Sequence, residues 1–368
     1  MQHDKTLFVW FVPFDGITNG GGKVNKAVSD IAKRVLGEDN FSSYFVCPDI
    51  IENTLTMRLK VAFMSTFGLF NGLTRKNIRD IVRIGMRYKR VFLTSSLMGV
   101  VAEALKAEGY KGEIIVLFHN VESHYFSVIT SKKRPDRLLK IRQAERNEEL
   151  CCKYADKKIA FNKRDAAMIY DRYHKKVDYI WPLSIMDTFD PKMPDYDAMV
   201  SKDRLRCLFV GSNFKANNDA IVWFVREVMP KVNIHLTIVG KDISHLSTLF
   251  VSNSDIDIFD SVPQMAPYYY EADVIVSPIM TGSGMKTKTC EALMFGKNII
   301  GTKESFEGYD IDISKVGACC DTAEDFINAI NGFTATPRYR HNAYSREVYE
   351  RNFSINASIN LFEKILSM

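Results

Sequence analysis

Pro278-Ile279-Met280-Thr281-Gly282-Ser283-Gly284-Met285-Lys286-Thr287-Lys288-Thr289-Cys290-Glu291-Ala292-Leu293 is the stretch on which the reading of this chain turns. The apolar run leading into it, Asp273–Pro278, reads as a buried strand; after the Gly-Ser-Gly turn comes a helix-forming run with few β-branched residues. The pattern predicts a helix over Met285–Phe295 with Lys286 in its first turn. Free backbone N–H groups, the positive end of the helix dipole and an ammonium would meet there, and together they suit a phosphate. Glu291 falls one turn after Thr287 on the same face, at a depth where a carboxylate takes ribose hydroxyls. By itself the stretch also fits a plain strand–turn–helix unit with a solvated lysine and glutamate.

Working outward, the first half alternates between two patterns. Strand-like runs lie near Leu7–Val12, Tyr44–Cys47, Val91–Thr94, Ile114–Phe118, Lys158–Phe161 and Val177–Trp181. Helix-like runs lie near Lys23–Leu36, Arg75–Met86, Val100–Ala107, Arg137–Cys152 and Asp165–Tyr173. Such alternation predicts a parallel sheet covered by helices. The segment from Pro182 to Ser201 has three prolines, four aspartates and no period, and reads as a linker. Alternation then restarts, with strands near Arg206–Val210, His235–Val239, Ile256–Phe259, Val274–Ser277 and Asn298–Gly301. Helices are expected near Asn217–Met229, Met265–Glu271 and Ala323–Asn331, and the end is helical with a break near Asn352–Ser354. Two doubly wound units would leave a cleft, with ligands outside the carboxyl ends of the strands.

At 368 residues the chain suits two cores rather than one. Its 46% hydrophobic and 25% charged residues are those of a soluble globular protein. The apolar run near the start is only seven residues long and reads as a first strand rather than a signal peptide. No run approaches the roughly 18 apolar residues that span a bilayer. The seven cysteines show no metal spacing and read as reduced thiols in the cytoplasm.

The net charge of +5 hides an asymmetry: residues 1–185 carry 31 Lys+Arg against 20 Asp+Glu, and residues 186–368 carry 18 against 24. Residues 57–91 hold nine basic side chains and one acid, and a second cluster spans residues 132–142. Arg75, Arg79 and Arg83 repeat every four residues with Ile78, Ile81, Val82 and Met86 between them. That is a basic amphipathic helix, suited to an anionic membrane surface or to a phosphate-bearing acceptor, and equally to a solvated face. Nucleic acid is not expected, because no aromatic-interleaved basic strand is present.

Other constellations fall at strand ends. Gly20-Gly21-Gly22 follows the first strand and can bring backbone N–H groups close to an oxyanion, or form a simple turn. His119 ends the strand Ile114–Phe118 and can meet a sugar hydroxyl or a reacting oxygen, cap the next helix, or sit as a satisfied core group. Glu122 and His124 nearby lack a third ligand, so no metal is expected. Gly211 ends the first strand of the second half; Ser212, Asn213 and Lys215 add donors, and Asn217 suits a helix N-cap. Gln264 lies in a loop, Asp260–Met265, fitted either to a nucleobase edge or to an ordinary turn. The pairs Asp255/Asp257 and Asp310/Asp312 read as incidental surface acids.

Phe209-Val-Gly-Ser with Asn217, Pro278…Gly282-Ser-Gly-Met-Lys286-Thr-Lys288…Glu291-Ala-Leu…Gly296-Lys, and Gly301-Thr302…Phe306-Glu307-Gly308 resemble glycosyltransferase family 4, in its bacterial polysaccharide-biosynthesis branch. His119-Asn-Val-Glu122 and the glycine-rich loop fit the same family. The resemblance implies an α/β GT-B fold, two Rossmann-like domains with parallel sheets facing each other across a cleft. The expected division is residues 1–185 as the acceptor side, 186–204 as linker, 205–345 as the donor side, and 346–368 as a helix packing back on the first domain. It implies retaining transfer from a nucleotide-sugar, which is a substrate and not a cofactor, to a glycan or lipid-linked acceptor, with no metal.

Carried over, Glu291 holds the ribose, Lys286 meets the diphosphate and His119 sits near the reacting centre. Gly282, Ser283 and Gly284 line the donor sugar. Gly21, Gly22, Gly211, Ser212, Lys215, Gln264, Met285 and Thr287 complete the expected donor contacts. Two features depart from the family pattern: Ser283 stands where an acid is usual, and Ser212 and Asn217 stand near the usual Arg and Lys. The implied setting is cytoplasmic, on the inner face of the membrane through residues 57–91 and 132–142. A nucleotide-sugar 2-epimerase using His119 and Glu122, and a non-catalytic homologue, are the alternatives.

Overall fold

The structure is a computed structural model that describes residues 5–14, 20–47, 72–130, 136–193, 196–200, 204–251, 253–335 and 338–367. Arg58, Lys60, Lys132, Lys133 and Arg134 of the basic clusters lie outside these residues. The chain forms two compact units. One comprises Met1–Ile17, Asn25–Pro182 and Ser358–Met368; the other comprises Thr18–Val24 and Leu183–Ala357.

In the first unit, β1 (Thr6–Trp10), β2 (Phe41–Phe45), β3 (Arg90–Leu93), β4 (Glu113–Phe118), β5 (Lys157–Ala160) and β6 (Tyr179–Ile180) form one sheet in the order β2-β1-β3-β4-β5-β6. Every pairing is parallel. The central strands are apolar on both faces because helices cover both sides, and all of β1 and β3 is buried. The end of the chain packs here too. Phe362 stacks on Trp181 at 4.9 Å, and Arg90 and Lys157 donate to the carbonyls of Leu366 and Ile365 at 3.0 and 2.7 Å. Those cations meet the free carbonyls at the end of the last helix.

In the second unit, β7 (Leu205–Val210), β8 (Ile234–Gly240), β9 (Ile256–Asp260), β10 (Val274–Ser277), β11 (Asn298–Gly301) and β12 (Gly317–Cys319) run β12-β11-β10-β7-β8-β9, again all parallel. The chain runs outward from β7 to β9, then returns to lay β10 on the other side of β7. Connections therefore diverge at the carboxyl ends of β7 and β10, which opens a crevice there. Gly240 could not be otherwise: a Cβ on it would lie 1.9 Å from the Gly211 carbonyl oxygen.

Several expected boundaries move. The helix of the opening stretch spans Thr287–Met294, with Lys286 as an extended N-cap rather than a first-turn residue. Gly20-Gly21-Gly22 is not a loop before a helix but the first turn of the helix Gly20–Leu36. Strand β12 went unread because three residues, Gly-Ala-Cys, carry no period. The short helices His245–Leu249 and Ile313–Val316 went unread for the same reason. The described part of the segment expected as a linker packs on its own unit. Phe189 stacks on His341 at 5.6 Å, Asp190 N–H donates to the Tyr270 hydroxyl at 2.6 Å, and Arg346 pairs with Asp187 at 2.9 Å. Phe189 and Tyr196 supply the apolar surface that a free linker lacks.

Candidate functional site

Beyond the carboxyl ends of β7, β8 and β9, the second unit encloses a cavity of about 770 Å³. Gly211 and Ser212 follow β7, Gly240 and Lys241 end and follow β8, and Ser261–Ala266 follow β9. Thr287, Lys288 and Glu291 of the helix Thr287–Met294 form another wall, and Gly20 and Lys23 a further one. A volume of this size suits a nucleotide-sized ligand.

Glu291 is buried, and both its oxygens are engaged. Tyr269 donates its hydroxyl to Oε2 at 3.2 Å, and Lys23 Nζ forms an ion pair with Oε1. Tyr269 is fully buried and stacks on Phe295 at 4.6 Å, so this face of the carboxylate is rigidly held. Burial, and then the charge of Glu291, raises the Tyr269 phenol well above its usual value, so it stays a donor. Lys23 reaches Glu291 because the first turn of its helix comes very close to the wall. A Cβ on Gly20 would lie 2.4 Å from Thr287 Oγ1, so only glycine fits.

Lys288 donates to Asn217 Oδ1 at 2.7 Å and lies 4.7 Å from the centre of the Phe209 ring. Burial, and then the charge of Lys286, pulls its ammonium down to about 7, with Glu291 opposing. A lysine lining a cavity with its proton this loosely held is one that an anion would recharge. Asn217 is not the helix N-cap. The helix Lys215–Glu227 starts two residues earlier, with Phe214 as N-cap. That frees the Asn217 amide to donate to the Ser212 carbonyl at 2.9 Å while accepting from Lys288.

The structure sorts the expected residues. Gly211, Ser212, Gln264, Thr287 and Glu291 line the cavity; Gly21, Gly22, Lys215, Gly282, Ser283, Gly284, Met285 and Lys286 do not. Lys286 is engaged elsewhere, donating to Glu304 Oε1 at 2.6 Å and to the Gly284 carbonyl at 2.7 Å. A Cβ on Gly282 would lie 2.8 Å from Lys286 Cε, so the Gly-Ser-Gly segment is wrapped tightly round that pair. Ser283 Oγ is buried without a hydrogen-bond partner. Lys215 is exposed and pairs with Asp219, the next turn of its own helix. Gly211 is not left open for a ligand: a Cβ there would lie 2.9 Å from Asn217 Cγ.

Sequence reasoning missed Lys23, Lys241 and Lys288. For Lys288 a signal existed: it lies three residues before Glu291 and shares its face. Lys23 had none, since its partner is 268 residues away.

In the first unit, His119 follows β4, its Nε2 is buried without a partner, and burial pulls its imidazole down to about 4. It does not cap the helix Glu122–Ile129, whose N-cap is Val121. Burial first, then the charge of Glu148, pushes the Glu122 carboxyl up to about 8, with an Asn120 hydrogen bond opposing. Around it, Ser123 donates to Glu148 Oε2 at 2.7 Å and the Tyr173 hydroxyl to the same oxygen at 2.5 Å.

Two six-stranded parallel sheets in this order, with a ligand-sized cavity at the switch point of the second, define the GT-B fold. The whole chain matches three solved structures of that build. These are HepE from Anabaena, in complex with UDP and glucose (12% identity, TM-score 0.66, 99% of this chain and 100% of that one), and a glycosyltransferase from Rickettsia africae (13%, 0.64, 99% and 98%). The third is an α,α-trehalose-phosphate synthase (UDP-forming) from Burkholderia vietnamiensis (11%, 0.57, 98% and 99%). No curated protein matches the sequence. Residues 204–335 match the family model described as glycosyl transferases group 1.

Proposed function

We propose that the chain transfers a sugar from a nucleotide-sugar to a glycan or lipid-linked acceptor, with retention and without a metal, in the synthesis of a bacterial surface polysaccharide. The observation that carries this is the cavity in the second unit, with a fixed carboxylate at one wall and lysines at the others. Glu291 would accept the ribose hydroxyls. Lys288 and Lys23, rather than Lys286, would face the diphosphate. The main chain of Ser261–Gln264 would meet the base. HepE, of the same fold, is known with UDP and with UDP-glucose, which supports a nucleotide-sugar as the donor class here.

The chemical demand is to stabilise the negative charge that grows on the departing nucleoside diphosphate. Lys288 would meet it as an ammonium, the form that an arriving anion favours over the neutral amine. With front-face attack, the leaving phosphate would take the acceptor's proton, and no carboxylate nucleophile is needed. His119, neutral at pH 7, would hydrogen-bond the donor or acceptor sugar. Ser283 would serve the sugar through its unpartnered hydroxyl, while Lys286 and Glu304 hold that segment in shape. Arg75, Arg79 and Arg83 are exposed along the helix Arg75–Gly85 and would bring the protein to anionic lipid at the inner face of the membrane. Among the described residues no helix is long and apolar enough to cross a membrane.

A thermal-shift screen against nucleoside diphosphates and their sugar conjugates tests this reading. A ligand at 100 times its dissociation constant should stabilise by about 2.7 kcal/mol. The absence of any shift across the panel would refute a donor site here.

A further inference from the structure

We propose that Lys23 is an exchangeable counter-ion: it occupies Glu291 while the cavity is empty and passes to the diphosphate when a nucleotide enters. This rests on reading the cavity as a nucleotide-sugar site.

Both Glu291 oxygens are taken, one by Tyr269 and one by Lys23. Ribose hydroxyls are donors, so they need one of those oxygens back. The two partners differ in how easily they leave. Tyr269 is fully buried and stacked on Phe295, whereas the Lys23 side chain keeps 33% of its surface exposed against 8% for Glu291. Lys23 is therefore the mobile partner. It cannot drift far as a backbone, because Gly20 is pressed against Thr287, so the exchange is a swing of its flexible stem.

Charge conservation sets the rest. Displacing Lys23 without replacement strands a buried carboxylate, and two ribose hydroxyls relieve that. The freed ammonium then sits at a wall of the same cavity as Lys288 and Lys241 and needs an anion of its own. A diphosphate supplies it; a bare nucleoside does not. Ribose and phosphate recognition are thus coupled through one side chain. The site discriminates against nucleosides because their hydroxyls satisfy Glu291 but leave the freed ammonium without an anion.

The coupling predicts effects of opposite sign. Uridine and UDP would be titrated into wild-type protein, Lys23→Met and Lys23→Arg, by calorimetry for the diphosphate and ligand-observed NMR for the nucleoside. Adenine and guanine pairs would follow if uracil gives no binding. Lys23→Met should weaken the diphosphate about tenfold and tighten the matching nucleoside severalfold, because Glu291 stands free. Lys23→Arg keeps the charge and should return the diphosphate to within about threefold of wild type.

If Lys23→Met weakens both ligands, or neither, Lys23 is only a structural tether and the proposal fails. Tightening of both would make Lys23 a simple plug with no phosphate role, which also overturns it. Wild-type protein that binds none of the diphosphates would instead refute the donor-site reading itself, and this exchange with it.

Discussion

Gly20–Lys23 and Gly282–Lys286 have nearly the same ingredients: glycines, then a lysine, at the start of a helix. The first lines the cavity; the second does not. The difference lies in what each lysine finds within reach. Lys286 meets Glu304 and a carbonyl of its own turn, and is spent holding its loop. Lys23 finds its carboxylate on the wall of the cavity, where a ligand can compete for it. A glycine–lysine turn is thus a capacity for binding phosphate, and the nearest carboxylate decides whether it is used.

The comparison assigns the cation that Lys286 fails to supply to Lys288, and the largest expected effect follows. Lys288→Met should weaken nucleoside diphosphate binding about tenfold to a hundredfold at pH 7, the loss of one charge-assisted hydrogen bond of about 1.5–3 kcal/mol. In the empty site Lys288 gives up its proton as pH rises through about 7, and a bound diphosphate favours the charged form. Wild-type affinity should therefore fall from pH 7 to 9, by up to about tenfold per unit, with proton uptake on binding. Calorimetry in buffers of different ionisation heat measures both. An unchanged slope in Lys288→Met would reassign the proton to another group.

Lys286→Met should do the reverse. Its pair with Glu304 is mostly shielded, the side chains being 11% and 17% exposed. Breaking it should cost about 2 kcal/mol of stability, below the range for fully buried pairs, while diphosphate affinity stays within about threefold. Thermal unfolding and titration separate the two. A large affinity loss with normal stability would return Lys286 to the phosphate and erase the contrast between the two segments.

How much of this was legible in the sequence differs between scaffold and site. Eleven of the strands named in the structure were placed to within a few residues, the central ones because strands buried on both faces cannot hide their hydrophobicity. Glu291 and Gly211 do line the cavity, and their positions could be read because strand ends and helix faces are local properties. The ion pairs were not legible. Lys286 with Glu304 and Lys23 with Glu291 depend on how distant segments fold together, and nothing at either residue encodes its partner. Lys288 lay between: the face argument that joined Thr287 to Glu291 covers it, but Lys286 in the glycine turn has the same chemistry and nothing local separates the two. The segment expected as a linker shows the same limit, since its prolines were visible but the stacking of Phe189 and Tyr196 on His341 was not.

The close approach of the Gly20 turn offers a smaller test. Gly20→Ala puts a Cβ 2.4 Å from Thr287 Oγ1 and must push the turn off the wall. Overpacking of this kind costs about 1 kcal/mol or somewhat more, so diphosphate affinity should fall about fivefold. Thr287→Ala removes the obstacle, and in the double variant affinity should return most of the way. If Thr287→Ala does not rescue Gly20→Ala, glycine is there for some reason other than contact.

Lys215 is the control for both segments. It was expected among the donor contacts, yet it lies on the solvent side of its helix, paired with Asp219 and 61% exposed. An exposed pair of neighbouring turns contributes little, since water screens it and two long side chains must be ordered to make it. Lys215→Ala should leave diphosphate affinity within about twofold and the melting temperature unchanged within error. If instead affinity falls as far as in Lys288→Met, bare positive charge near the cavity would be enough. The distinction between a lysine aimed into the site and one tied off beside it would then carry no weight.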